Sequence, residues 1–96
     1  MDKMILEAVG DEVEELLEAN GFSHIQLRPR GQHLVLFSTE GGERVNRARL
    51  SVIDAQSFGL SMADHQGKWE STPFTDTPQA LTRLLIDQFS FVLANL

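Results

Sequence analysis

Residues 22–38 read FSHIQLRPRGQHLVLFS, and within them the chain leaves a helical period for a period of two. Ser23, Ile25 and Leu27 alternate with His24, Gln26 and Arg28, the pattern of a half-buried strand, and Pro29-Arg30-Gly31 supplies the turn that ends it. A second strand follows from His33 to Ser38. Its run Leu34-Val35-Leu36-Phe37 is apolar on both faces, and a strand of that kind belongs in the middle of a sheet.

Further toward the C-terminus the same period continues. Gly41-Gly42 marks a turn, after which Arg44 to Ile53 alternates, with Ala48, Leu50 and Val52 on one side and Arg47, Arg49 and Ser51 on the other. Phe58, Leu60 and Met62 alternate with Gly59, Ser61 and Ala63, and the turn Asp64-His65-Gln66-Gly67 leads into a short piece around Trp69. These elements predict an antiparallel meander of four to five strands.

Helical periodicity flanks the meander on both sides. Asp2 suits the N-cap of a first helix, in which Ile5, Leu6, Val9, Val13, Leu16 and Leu17 share one apolar arc. Gly10 is expected to interrupt that helix at about 1 kcal/mol relative to alanine, with a second start near Asp11. Gly21 after Asn20 suits a left-handed C-cap that brings Phe22 onto Leu17.

At the other end, Pro73 and Pro78 are expected to bracket a loop. Thr77-Pro78 is an N-cap followed by proline at the first helical position. The last helix is predicted to run to the end of the chain. Leu81, Leu84, Leu85, Ile86, Phe89, Phe91, Val92, Leu93 and Leu96 cover about 220° of its circumference, more than one sheet face needs. That breadth suggests a homodimer formed through the last helix. The expected fold class is α+β: a two-layer sandwich with the N- and C-terminal helices packed on one face of the sheet.

The chain has 96 residues, 42% hydrophobic and 23% charged, which fits one globular domain spanning residues 1–96. It contains no cysteine, so disulfides, thiolate zinc sites and cysteine nucleophiles are excluded together. The N-terminus lacks a basic region followed by an apolar run, and nothing approaches about 18 consecutive apolar residues. A cytoplasmic protein with no membrane partner is the expectation.

Charge is strongly segregated along the chain. The formal net charge is −6, and the first twenty residues alone set seven acids against Lys3. Glu7, Asp11, Glu14, Glu15 and Glu18 fall on one arc of the first helix, opposite its apolar face. Like charges at such spacings cost about 0.2–0.5 kcal/mol per pair, so the stripe is a candidate surface for a protein partner that is itself basic. The strands reverse the sign, with Arg28, Arg30, Arg44, Arg47 and Arg49 outnumbering Glu40, Glu43 and Asp54.

No motif names a reaction. The chain has no G-x-S-x-G elbow, no Ser-Lys pairing, no phosphate-cradling glycine run and no H-E-x-x-H. No catalytic residue, cofactor or metal site is therefore assigned, and His24 and His33 read as surface histidines. Acids at turns and caps account for Asp64, Glu70, Asp76 and Asp87 without acid–base chemistry.

The leading expectation is a small non-enzymatic interaction module, comparable in architecture and charge to inhibitors, antitoxin or immunity proteins and secretion chaperones. It would act through Glu7, Asp11, Glu14, Glu15 and Glu18. The alternative is a single-stranded nucleic-acid binder using His24, Arg28, Phe37, Arg47 and Arg49 on the exposed sheet face. In the plainer reading of that face, the arginines pair with Glu40, Glu43 and Glu70 across strands. A small-molecule-binding protein or enzyme of unknown reaction ranks third. Trp69, the only tryptophan, is expected at the core edge near Phe74, with a binding hot spot as its other role.

Overall fold

A computed structural model of the protein describes residues 1–94. Helix α1 (Lys3–Ala19) is followed by strands β1 (Gln26–Arg30), β2 (His33–Glu40), β3 (Glu43–Val52), β4 (Phe58–Ala63) and β5 (Trp69–Asp76), then helices α2 (Pro78–Gln88) and α3 (Ser90–Leu93). The five strands form one antiparallel meander in the order β1-β2-β3-β4-β5. The helices pack on one face of it, the α+β architecture expected from the sequence.

The core lies between the two layers. Leu34 and Leu36 of β2, Ala48 and Leu50 of β3, and Phe58 and Leu60 of β4 meet Leu6, Val13 and Leu17 of α1, Leu81 and Leu85 of α2, and Leu93 of α3. Both sheet edges carry a proline, Pro29 in β1 and Pro73 in β5. Proline cannot donate to a ladder, so it is confined to edges and makes them poor templates for another strand.

The helix ends follow their local chemistry. The Met4 amide donates to Asp2 Oδ1 at 2.8 Å, and the Ala80 amide donates to Thr77 Oγ1 at 3.1 Å. At the C-terminus of α1, the Phe22 amide bonds the Leu17 carbonyl and the Gly21 amide bonds the Glu18 carbonyl. Gly21 has φ +87°, which completes the Schellman cap.

Four expectations need correction. Gly10 does not interrupt α1, which runs unbroken through it. A Cβ there would lie 3.3 Å from Leu34 Cδ2, so the glycine lets the helix approach β2 closely. The first strand begins only at Gln26, because Gly21 to Ile25 form the turn out of α1. The piece around Trp69 extends as an eight-residue strand through Pro73 to Asp76, where a loop was expected.

The last helix, finally, breaks at Phe89. Of its wide apolar arc, Leu81, Leu85 and Leu93 are buried, and Leu84, Ile86, Phe89 and Val92 pack partly against the core. The break re-aims the chain so that the protein covers most of the arc itself, leaving Phe91 exposed. Leu96 lies outside the described residues.

Candidate functional site

The sheet face away from the helices is uncovered, and strand register decides what stands on it. Arg28 pairs with Val35, Val35 with Arg49, and Arg49 with Ser61, which aligns these residues across β1 to β4. Arg30, His33 and Ser51 form the neighbouring row. Beyond them come Phe37 opposite Asn46, Thr39 opposite Arg44, and Trp69 opposite Ala63.

Val35 and Phe37 are only 6% and 8% exposed although no helix covers them. Arginine side chains lie over the aromatic rings of this face. The Arg44 guanidinium lies 4.8 Å from the Phe37 ring centroid, and that of Arg49 lies 4.8 Å from the Trp69 ring centroid. Both are cation–π contacts.

A concavity of about 460 Å³ opens on this face. Arg28, Arg30, Arg44 and Arg49 supply its charge, His33 and Asn46 its neutral polar groups, and Val35 and Trp69 its apolar surface. No acid lines it. Of the cross-strand pairing expected for Arg28, Arg47 and Arg49, only Arg47 with Glu40 forms, the one ion pair among the described residues, and the four arginines of the concavity have none there. The buried Nε of Arg49 has no hydrogen-bond partner among the described residues. Unpaired cations gathered on one face repel one another, and an anion placed among them relieves that repulsion.

His33 Nδ1 lies 2.8 Å from Ser51 Oγ. Burial, and then the charge of Arg49, hold the His33 pKa below the ordinary histidine value, so the ring is neutral at pH 7. Serine beside histidine is two parts of a nucleophilic triad. Among the described residues no carboxylate bonds the ring's other nitrogen, and the third part is lacking.

Two residues expected on this face are elsewhere. His24 precedes β1, and its Nε2 bonds the Leu93 carbonyl at 2.6 Å. Arg47 is the extra residue of a β-bulge, since Ala48 pairs with Leu36 but Asn46 pairs with Phe37. The bulge turns Arg47 toward the helix layer, where it donates to Ser38 Oγ, to Glu40 and to the Ala94 carbonyl. Both side chains thus satisfy carbonyls at the end of α3. Arg28, Phe37 and Arg49 do share the open face.

Trp69 also stands on the open face, and Phe74 packs on Phe89 at 5.7 Å between ring centroids. The register adds Arg30, Arg44 and Asn46, which sequence reasoning did not place in the site. Strand alternation had offered Arg30 only as a turn residue.

Glu7, Asp11, Glu15 and Glu18 are exposed on α1 and Glu14 is half-buried. Glu7, Asp11 and Glu14 flank a groove against Leu27 and Pro29, which puts the stripe beside the β1 edge of the sheet. None of the five forms an ion pair among the described residues. A further concavity of about 500 Å³ lies between Ile5 and Ile53. Its carboxylates, Asp2 and Asp54, are occupied by backbone amides of their own turns.

Compared with protein-family models, curated proteins and solved structures, the chain shows no match. No group of three or more histidines and acids suited to a metal occurs among the described residues. Among the described residues no helix is long and apolar enough to cross a membrane.

Proposed function

We propose that the chain is a binding module for single-stranded nucleic acid or its nucleotide units, taken up on the open face of the sheet. The observation that carries this reading is the acid-free concavity in which four arginines converge over an apolar floor with Trp69 at its side. Phosphates are met by forked guanidinium donors, and a flat base stacks on an aromatic ring at about 1–3 kcal/mol per base. Both parts are present within one ligand-sized hollow.

The test uses the only tryptophan as its probe. Titration with a pyrimidine oligonucleotide is expected to quench Trp69 fluorescence, and binding should weaken as salt rises. Arg28→Ala combined with Arg49→Ala should abolish the effect, whereas Arg47→Ala, altered on the other face, should retain it in whatever fraction folds. Binding that survives the first pair would sink the proposal.

A second reading rests on α1. Five carboxylates without an ion pair among the described residues favour a protein partner with a basic surface. Reversing Glu7, Asp11, Glu14 and Glu18 to lysine should release such a partner in a pull-down from the native source, and a partner retained by that variant would end this reading.

A further inference from the structure

We infer that the basin takes a single nucleotide-sized unit, one phosphate joined to one flat ring, and gains no affinity from a longer strand. This rests on the reading of the open face as a phosphate-binding surface. Size supplies the first argument: a hollow of about 460 Å³ lies at the small end of the roughly 300–1,000 Å³ range of small-ligand sites. Its lining is drawn from β1, β2, β3 and β5.

Charge supplies the second argument. Outside Arg28, Arg30, Arg44 and Arg49, the chain sets four cations, Lys3, Arg47, Lys68 and Arg83, against fourteen acids. The charge outside the basin therefore disfavours phosphate on balance. At the β1 edge stand Glu7, Asp11 and Glu14 of α1 beside Leu27 and Pro29. At the opposite edge Asp64 in the β4–β5 turn and Glu70 in β5 outnumber Lys68 between them. A second phosphodiester leaving over the β1 edge moves toward the α1 carboxylates, whose repulsion is felt over about one Debye length, roughly 8–10 Å.

Arg49 supplies the third argument. Its guanidinium covers the Trp69 ring while its buried Nε has no partner among the described residues. A ring that takes the guanidinium's place over Trp69 frees Arg49 to turn to the phosphate, which then gives the Nε an acceptor. One ligand with both groups satisfies the tryptophan and the arginine at once.

The experiment is a length series read by Trp69 fluorescence and by calorimetry. It compares inorganic phosphate, a pyrimidine mononucleotide, and pyrimidine oligonucleotides from two to about eight residues long. The mononucleotide should quench, and affinity per molecule should change by less than about threefold with length, with no steepening of the salt dependence. In the variant Glu7→Gln, Asp11→Asn, Glu14→Gln, the longer oligonucleotides should bind several-fold tighter and the mononucleotide unchanged.

An affinity that climbs about tenfold or more with length in the unaltered protein would overturn the size limit and leave the open-face reading standing. Inorganic phosphate binding as tightly as the mononucleotide would overturn the exchange at Trp69. Unchanged binding of long oligonucleotides in the neutralised variant would overturn the acidic barrier. Neither quenching nor heat with any ligand would overturn the open-face reading itself, and the inference with it.

Discussion

Arg49 spends its guanidinium on Trp69 and leaves a buried Nε without a partner among the described residues, an arrangement that costs folding free energy in the absence of a ligand. Methionine keeps the apolar stem over the same ring and removes the stranded donor. Arg49→Met is therefore expected to leave stability unchanged or to raise it by up to about 1 kcal/mol, while weakening nucleotide binding at least about tenfold. Thermal unfolding and a fluorescence titration of the same sample check both halves.

His33 adds a pH term at the same scale. Its pKa is lowered in the folded protein by burial and by Arg49, so the unfolded chain takes up its proton first. The stability linked to this group is complete above the unfolded value of 6.5 and is lost as pH falls from there toward the folded value. A bound phosphodiester favours the protonated ring and raises its pKa. Affinity for an oligonucleotide, whose diesters do not titrate here, should thus increase as pH falls below neutrality, with proton uptake on binding. His33→Gln should flatten that dependence, and an unchanged pH profile in the variant would remove His33 from the account.

At the scale of elements, the bulge in β3 decides which arginine is structural. Arg47 holds Ser38, Glu40 and the end of α3 together, so Arg47→Met should cost roughly 1–3 kcal/mol in denaturant unfolding and leave the affinity of the folded fraction unchanged. That is the reverse of the result expected two residues on. Where α1 crosses β2, the Gly10 position touches Leu34, whose side chain is fully buried. Overpacking of about 1–3 kcal/mol outweighs the helix propensity that alanine gains there, about 1 kcal/mol. Gly10→Ala is thus expected to destabilise by roughly 1 kcal/mol, where a helical glycine in open space would be stabilised.

The sheet and the helix caps were legible because each rests on local chemistry: alternation from Ile25 to Met62, Asp2 and Thr77 at N-caps, Gly21 at a C-cap. The bulge was not legible. No glycine or proline marks it, and the alternation of Arg47 and Arg49 reads as regular while the pairing register inverts one of them. β5 was hidden by Pro73 and its many hydroxyl residues, which carry a turn-like composition into an edge strand. Alternation alone places Arg28, Phe37 and Arg49 on the open face, but it places His24 and Arg47 there too, and tertiary contacts with α3 determine where those two point.

Across the whole molecule, the segregation of charge along the chain becomes a segregation in space. The carboxylates of α1 lie in the helix layer beside one sheet edge, and the arginines of β1 and β3 lie on the opposite face of the sheet. Their separation leaves the basin positive in a protein whose net charge is −6. It also explains why the overall charge says little about the ligand: a small anion meets the local field, while a long one meets the whole surface.

The most direct measurement is an amide chemical-shift titration with a pyrimidine mononucleotide. The predicted result is a contiguous set of shifts at Arg28, Arg30, His33, Val35, Arg44 and Arg49, together with the Trp69 indole, while Glu7, Asp11, Glu14, Glu15 and Glu18 stay unmoved. Shifts confined to α1, or none at saturating ligand, would contradict the assignment of function to the open sheet face.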